Sequence, residues 1–224
     1  MAPTTLGRIL ATLRRFYGAP ARPVTRDPFR LVLWEQVGYL ATDAQRKVAY
    51  DALQARVGLA PADIAAAPHA TLRAVTRLGG AIAADVRANR LRQSAELVLR
   101  KWNGDLGQAL RVPYPQARKA MAEFAMIGEP GADKILVFAG KARRLPLDSN
   151  GLRVLSRIGL ITADKNYSRM YRRAQEVLAP SLPKGDDALI AAYELLRRHG
   201  QELCKTNAPA CHLCPVRPSC AYVK

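Results

Sequence analysis

The stretch from Phe124 to Asp148 constrains the fold most, because it reads as two helices joined by a very short turn. The turn spans residues 127–131, Ile-Gly-Glu-Pro-Gly, and its two glycines allow close backbone approach and positive φ. A proline suits the first turn of a helix, where its missing N–H costs nothing. From Ala132 onward, apolar residues recur at helical spacing. The start of such a helix presents N–H groups that can hold an anion such as a phosphate.

Helical periodicity extends over most of the chain and predicts an all-α protein. Alanine, leucine and arginine prevail among the 224 residues, and alternating β-branched runs are absent. A chain of this length can bury a sizeable core in one large or two small domains. The sequence has neither the long apolar run of a membrane helix nor the pattern of a signal peptide at its start. We therefore expect a cytoplasmic protein with no membrane partner.

The predicted helices are bounded by glycine, proline and capping residues. Besides the hairpin helix and a long helix that ends near residue 102, they cover residues 5–17, 27–43, 44–57, 61–67, 69–78, 113–124, 150–158, 167–178 and 186–199. The helix over 27–43 is apolar nearly all round, which predicts burial on most sides. Glu35 and Gln36 stand out inside it, because buried polar groups need partners.

The charge balance indicates a polyanionic partner. The chain has 35 Lys and Arg residues against 18 Asp and Glu residues, a formal net charge of +17. Scattered arginines can form nothing more than a solvated surface. An excess of this size is nevertheless typical of proteins that bind a polyanion such as a nucleic acid.

All four cysteines fall within the last 21 residues, with the spacing Cys204-x6-Cys211-x2-Cys214-x5-Cys220. Four thiolates this close can enclose one metal centre, whereas two unstrained disulfides would be hard to form in a cytosolic chain. Zinc favours two separated pairs of ligands, and a single compact loop suits a [4Fe–4S] cluster. On spacing alone, both metals stay open.

The hairpin and the cysteine loop together resemble the endonuclease III and adenine glycosylase group of the helix-hairpin-helix DNA glycosylases, which are base-excision repair enzymes. The hairpin of that family reads roughly Leu-Pro-Gly-Val-Gly-Arg-Lys-Thr-Ala, with an aspartate sixteen residues past the alanine. When Ile127 and Gly128 are set on Val-Gly, Ala132 falls on the alanine and Asp148 on the aspartate without a gap. The cysteine spacing is the one that this family uses for its [4Fe–4S] cluster, at the same end of the chain.

The resemblance covers roughly Asp27 to Cys220 and implies an all-α protein of two lobes. One lobe, residues 25–145, would be a six-helix barrel that ends in the helix-hairpin-helix motif. The other, residues 1–24 and 146–224, would be an iron–sulfur cluster domain built from both chain ends, with the catalytic cleft between the lobes. The implied protein is a monomer that binds double-stranded DNA holding a damaged or mismatched base, in the cytoplasm with the nucleoid.

The resemblance also implies roles for individual residues. Asp148 would be the catalytic carboxylate, although an aspartate before a helix is also an ordinary N-cap. Glu35 stands where adenine glycosylases carry a catalytic glutamate, and could instead be a buried acid paired with an arginine. Leu40 stands where endonuclease III carries a glutamine that wedges into DNA, and residues 79–89 form a loop longer than the family's second DNA-inserting loop. The implied DNA-binding residues are Leu40, Ile127, Gly128, Gly131, Ala132 and Lys134, and the implied cluster ligands are Cys204, Cys211, Cys214 and Cys220.

The chain departs from the family at the turn itself. Pro130 stands where bifunctional members carry the lysine that forms a Schiff base, and Glu129 puts a negative charge at a phosphate-binding turn. Lys134 lies one helical turn further and would lean back toward the helix start, although a surface lysine is the simpler interpretation. Two functions follow: a glycosylase that releases a base without nicking the strand, or a DNA-binding protein that has lost or altered catalysis on this scaffold.

Overall fold

The computed structural model describes residues 5–223, and every regular element in that range is helical. The α-helices are α1 Leu6–Tyr17, α2 Pro28–Val37, α3 Asp43–Arg56, α4 Pro61–Ala66, α5 His69–Leu78, α6 Ala84–Trp102, α7 Tyr114–Met121, α8 Glu129–Phe138, α9 Ser149–Ile158, α10 Tyr167–Leu178 and α11 Asp186–Glu202. The all-α prediction is confirmed. Within this range, no helix is long and apolar enough to cross a membrane. Residues 1–4 and 224, which belong to the predicted cluster lobe, lie outside the described residues.

The chain divides into two compact units. The continuous unit is Thr25–Gly128, and the split unit combines the residues up to Val24 with those from Glu129 onward. The boundary falls inside the predicted hairpin turn, so α7 belongs to the continuous unit and α8 to the split unit.

The core of the continuous unit forms around α6. This helix packs against α2, α4 and α5, while α3 packs against α2 and α5. Leucines from four helices are fully buried in the unit: Leu33, Leu53, Leu72 and Leu91. Burial of this many large apolar side chains is the main stabilising contribution to such a unit.

The helix α2 is shorter than predicted, because it ends at Val37 instead of continuing to residue 43. Gly38 takes an extended conformation, and a glycine in a helix costs about 1 kcal/mol relative to alanine. Thr42 then begins α3 through a capping box, in which its hydroxyl accepts from the Gln45 N–H and the Gln45 side chain accepts from the Thr42 N–H. The prediction of one helix over residues 27–43 is therefore wrong. The apolar pattern continues past Gly38, where α2 has ended, up to Thr42, which caps α3.

In the split unit, α11 packs against α1, α8 and α9. The apolar faces of α1, α9, α10 and α11 close over one core, which includes Leu6, Leu13, Leu155, Tyr171 and Leu196. The contact of α9 with α11 is especially close at Gly200, where a methyl group would lie 2.6 Å from the Asn150 Cβ atom. Only a glycine allows this approach without moving one of the helices.

We expect Gly200→Ala to lower the free energy of unfolding by about 1–3 kcal/mol, because overpacking outweighs the better helix propensity of alanine. Chemical denaturation of both proteins measures the difference. Gly7→Ala in α1 is the matched control, since nothing lies within 4 Å of the added methyl group. That variant should be as stable as the parent or slightly more so. Equal stability of Gly200→Ala and Gly7→Ala would contradict the close approach of α9 and α11.

Candidate active site and cysteine loop

Asp148 is the N-cap of α9. Its Oδ1 accepts a hydrogen bond of 2.8 Å from the Gly151 N–H, and its Oδ2 accepts one of 2.9 Å from the Asn150 side chain. The Arg197 guanidinium lies 3.8 Å from Oδ2, and 29% of the Asp148 side chain remains exposed. The carboxylate is therefore fixed in orientation by its capping bond and still open to solvent.

The charge of the Asp148 carboxylate affects the pKa of Tyr167 at the start of α10. Partial burial, together with the negative charge of Asp148, raises the pKa of Tyr167 to about 12. Its hydroxyl therefore stays protonated at neutral pH. The same tyrosine lines a groove of about 550 Å³ whose walls are α9, α10 and the last turn of the chain.

A chain of hydrogen bonds runs from the cysteine loop to Asp148. The Cys204 carbonyl accepts from Arg153 Nε at 2.8 Å, and Arg153 Nη2 donates to the Asn150 side-chain oxygen at 2.8 Å. Asn150 in turn donates to Asp148. Arg157, one turn further along α9, donates to the Lys205 carbonyl at 2.7 Å. The helix that begins at Asp148 is therefore fastened to the segment that holds the first cysteine.

The cysteine loop follows α11 as a series of short 3-10 turns. Burial raises the pKa of the Cys214 thiol, and the negative charges of the other three cysteines raise it further. The four sulfur atoms are therefore near enough to interact electrostatically. Cys220 belongs to the apolar core of the split unit, against which Cys204 and Cys214 also pack. All four are free thiols. Across residues 5–223 no group of three or more His, Cys, Asp or Glu side chains is arranged to hold a single metal ion.

Two side chains outside the loop face its sulfur atoms. Arg157 Nη1 lies 3.6 Å from the Cys204 sulfur, and His199 Nε2 lies 3.6 Å from the Cys214 sulfur. Burial lowers the pKa of His199 to about 4, so its ring is neutral at physiological pH. The Tyr17 hydroxyl lies 3.0 Å from Nδ1. When that hydroxyl donates, the remaining ring proton is on Nε2 and faces Cys214.

Glu35 lies in the last turn of α2 and is half-buried, which is more exposed than its predicted helix implied. Its carbonyl accepts from Arg46 at 3.2 Å. Its neighbour Gln36 is buried, donates to the Ala125 carbonyl at 3.2 Å and accepts from the Ser94 hydroxyl at 2.9 Å. The two polar groups singled out in this helix therefore differ: Gln36 fixes α2 to α6 and to the hairpin turn, and Glu35 keeps part of its surface in solvent.

The hairpin turn lies earlier than the predicted residues 127–131, because α8 already begins at Glu129, and it includes Met126, which sequence reasoning missed. Met126 has φ 68 and is 67% exposed, a left-handed conformation that is uncommon for a residue other than glycine. In the family pattern this position is a glycine, so the register already indicated a left-handed turn. Beside it, Ile127 is buried and Gly128 is exposed. In α8, Gly131 is half-buried and Ala132 is fully buried.

The Lys134 side chain lies against two aromatic rings. Its ammonium nitrogen lies 4.8 Å from the ring centre of Tyr193 and 5.5 Å from that of Phe138. Tyr193 belongs to α11, so the amine is held between α8 and α11. Cation–π contacts of this kind contribute about 0.5–2 kcal/mol and hold the side chain in place.

Leu40 lies in the loop between α2 and α3 and is 78% exposed. Its φ of 48 places it in the left-handed region, where a leucine is strained. A large apolar side chain held this far into solvent is available to contact another molecule.

Known proteins resemble the chain over nearly its whole length, although no family model matches it. It is 26% identical over 199 residues to the endonuclease III of Sulfolobus acidocaldarius. This alignment covers 88% of this chain and 83% of that protein. A solved endonuclease III, trapped as a covalent intermediate with DNA, superposes with a TM-score of 0.75 at 21% identity and covers 98% of this chain and 97% of its own. A thermostable thymine-DNA glycosylase superposes with a TM-score of 0.74 at 20% identity, and the superposition covers 97% of this chain and 96% of the glycosylase chain.

The sequence relative and the shared fold support a place for the chain in the helix-hairpin-helix DNA glycosylase superfamily. Within that superfamily, its similarity in both sequence and fold is to endonuclease III. The resemblance drawn from the hairpin and the cysteine spacing is thereby confirmed.

Proposed function

We propose that the protein, a DNA glycosylase of the endonuclease III family, is monofunctional: it hydrolyses the bond to a damaged or mismatched base and leaves the strand uncut. Base release is supported by the Asp148 carboxylate, which is oriented by its capping bonds yet partly exposed. The uncut strand is supported by Pro130, which stands in place of the Schiff-base lysine. It acts as a monomer on the double-stranded DNA of the nucleoid.

Base release passes through a transition state in which positive charge develops at C1′ of the sugar. A fixed carboxylate stabilises that charge, and can also take a proton from the water that attacks C1′. We assign this role to Asp148. The leaving base takes up a proton as the bond breaks, so that it departs as a neutral species. The target base has to be turned out of the stack first.

We assign the protonation of the leaving base to Glu35, and expect Glu35→Gln to reduce the single-turnover rate about 10²–10⁴-fold, the usual contribution of a general acid. Quenched-flow measurement on the preferred duplex gives the rate. Glu96→Gln, an exposed position on α6, removes the same charge and should leave the rate unchanged. A Glu35→Gln rate within a factor of about two of the parent would assign Glu35 a structural role.

The absence of lysine at position 130 predicts that base release leaves an intact abasic strand. Schiff-base formation needs an amine at the sugar, Pro130 has none, and the Lys134 amine is held against Tyr193 and Phe138. Strand breaks should therefore appear only after alkali, and borohydride should trap no covalent complex. Pro130→Lys should gain detectable trapping. Efficient trapping by the parent that disappears in Lys134→Ala would contradict this assignment.

DNA binding is assigned to the hairpin turn and to the loop that follows α2. The N–H groups around Gly128 and Gly131 suit a phosphate, and the helix start adds a favourable dipole. The side chains of Ile127 and Ala132 are buried, which fixes the position of this backbone. Leu40 can enter the base stack as an apolar wedge.

We further propose that Cys204, Cys211, Cys214 and Cys220 bind a [4Fe–4S] cluster. The donor set fits, because all four cysteines are free thiols and three of them, Cys204, Cys214 and Cys220, belong to or pack against one apolar core. Arg157 faces the Cys204 sulfur, and His199 faces the Cys214 sulfur. When bound, the cluster supplies a covalent scaffold for a loop that consists of short turns. Hydrogen bonds to cluster sulfurs tune its potential.

A second function, DNA binding without catalysis, is favoured by Glu129 and Pro130 at the turn. A panel of duplexes, each with a single damaged or mismatched base, distinguishes the two when the products are separated with and without alkali treatment. Alkali-dependent cleavage of at least one duplex is the expected result. Binding of the panel without release of any base would establish the second function instead.

A further inference from the structure

Two loops of the continuous unit carry exposed apolar side chains at their tips. Leu40, in the loop of residues 38–42, is 78% exposed, and Ile82, in the loop of residues 79–83, is 57% exposed. Both tips are strained, since Leu40 and Ala83 have φ of 48 and 53. Strained backbone persists only where the surrounding structure holds it.

The two loops are joined through their backbones. The Tyr39 N–H donates to the Gly79 carbonyl at 3.2 Å. Gly79 lies so close to Val37 and Gly38 that a methyl group would overlap the Val37 carbonyl. Gly80, at φ 110, lies against the Tyr39 carbonyl, 2.9 Å from where its Cβ atom would be. The backbone of one loop is therefore seated directly on the backbone of the other.

Arg87 on α6 fastens this junction from inside. Among the residues that the structure describes, it is the largest fully buried side chain, only 2% exposed. Its Nη1 donates to the Val37 carbonyl at 2.8 Å and to the Gly79 carbonyl at 3.0 Å, and its Nη2 donates to the Gly80 carbonyl. One guanidinium thus satisfies carbonyls from the end of α2 and from the second loop together.

A buried arginine has to be compensated for its loss of water. Burial lowers the pKa of Arg87, and the positive charges of Arg46 and Arg90 lower it further. The compensation comes from the carbonyl end of α2, which carries the negative end of the helix dipole. Arg46 adds to the same cap through the Trp34 carbonyl at 2.8 Å. An arginine is suited to this role because its planar fork spreads five donors over three nitrogen atoms, whereas a lysine has all its donors on one nitrogen.

We propose that Arg87 is a positioning residue that holds the loops 38–42 and 79–83 as one rigid edge, so that Leu40 and Ile82 enter the DNA base stack together. This inference rests on the proposed function only in placing these loops on DNA. Arg87 itself is buried and touches no base. Its contribution is to fix the two strained loop tips relative to each other before DNA binds. This reduces the conformational entropy that the loops lose when they enter the base stack.

The test uses a duplex with a tetrahydrofuran abasic analogue and a 2-aminopurine next to it, whose fluorescence rises when it is unstacked. The intact protein should raise that signal. In Arg87→Lys the rise should be at least about fivefold smaller, while affinity for an undamaged duplex changes by less than about twofold, because phosphate contacts are kept. Arg100→Lys, an exposed position on the same helix, is the matched control and should behave as the parent.

Gly79→Ala provides an independent variant, since its methyl group pushes the loops apart with Arg87 intact. This variant should also lose most of the fluorescence rise. If Arg87→Lys does not fold, the result with Gly79→Ala tests the inference on its own. A parental rise in both folded variants, or no rise with the intact protein, would overturn the inference. A protein that unstacks 2-aminopurine but releases no base from any lesion duplex leaves the inference standing and contradicts the glycosylase assignment. Release of base at the parental rate by Arg87→Lys contradicts the inference alone.

Discussion

Asp148→Asn should abolish base release, with a loss of at least about 10²–10³-fold, while duplex binding stays intact or tightens. Asparagine is nearly as good an N-cap as aspartate, so α9 keeps its start. What disappears is the negative charge that stabilises the developing cation at the sugar. DNA binding does not depend on that charge, and removing it lessens repulsion from phosphates. Single-turnover assays and a binding titration with the same lesion duplex measure the two effects.

Asp27→Asn is the matched control for this experiment. Asp27 caps α2 by accepting the Arg30 N–H at 2.8 Å, as Asp148 caps α9. Both variants replace one capping carboxylate by an amide, so any shared effect reports capping alone. A loss of activity confined to Asp148→Asn would assign catalysis to that residue. Equal activity of the two variants would reduce Asp148 to its capping role.

Cys214→Ser should leave the protein colourless, poorly soluble and less stable. The intact protein is expected to be brown, with iron and sulfide near four per chain, because the thiol spacing and environment suit a [4Fe–4S] cluster. Structural metal centres contribute folding free energy directly. Without its cluster, the loop of 3-10 turns has little to hold it. Absorbance, metal analysis and thermal unfolding of both proteins test this expectation.

The loss should extend to base release by any Cys214→Ser protein that stays soluble. The hydrogen-bond chain from Cys204 through Arg153 and Asn150 ends on Asp148, so a disordered loop removes support from the carboxylate. His212→Ala, at an exposed position of the same loop, should keep colour and activity. A colourless, stable parent protein that holds a single zinc ion would overturn the cluster assignment.

Where local signals agreed, the helices could be predicted from the sequence. The bounds of α5 and α10 match the prediction, and α10 has both apolar periodicity and an N-capping Asn166. The end of α2 could not be predicted by the same reasoning, because an apolar run continues across the glycine that ends the helix. Hydrophobic periodicity reports burial, and it does not by itself mark where a buried helix stops.

The site was only partly accessible from the sequence for a different reason. Asp148 and the four cysteines follow from register and spacing, and their roles stay predictions. Some of their contacts come from distant positions: the Arg197 guanidinium lies 3.8 Å from Asp148, and Arg153 donates to the Cys204 carbonyl across 51 positions. Arg87 meets the Val37 carbonyl across 50 positions. A single sequence does not show which arginine, among so many, is buried against which carbonyl.

The two units differ in when they can fold during synthesis. Thr25–Gly128 is uninterrupted, so it can fold as soon as it leaves the ribosome. The first helix is made earlier but has to wait for α11, against which it packs. At about 5–20 residues per second, synthesis from Glu129 to the end takes roughly 5–20 s, during which the apolar face of α1 is exposed. The cysteines emerge last of all. Insertion of the proposed cluster is therefore expected to complete the split unit only after α11 has been made, and a cell short of iron or sulfide should accumulate chains in which the continuous unit is folded and α1 is not yet packed against α11.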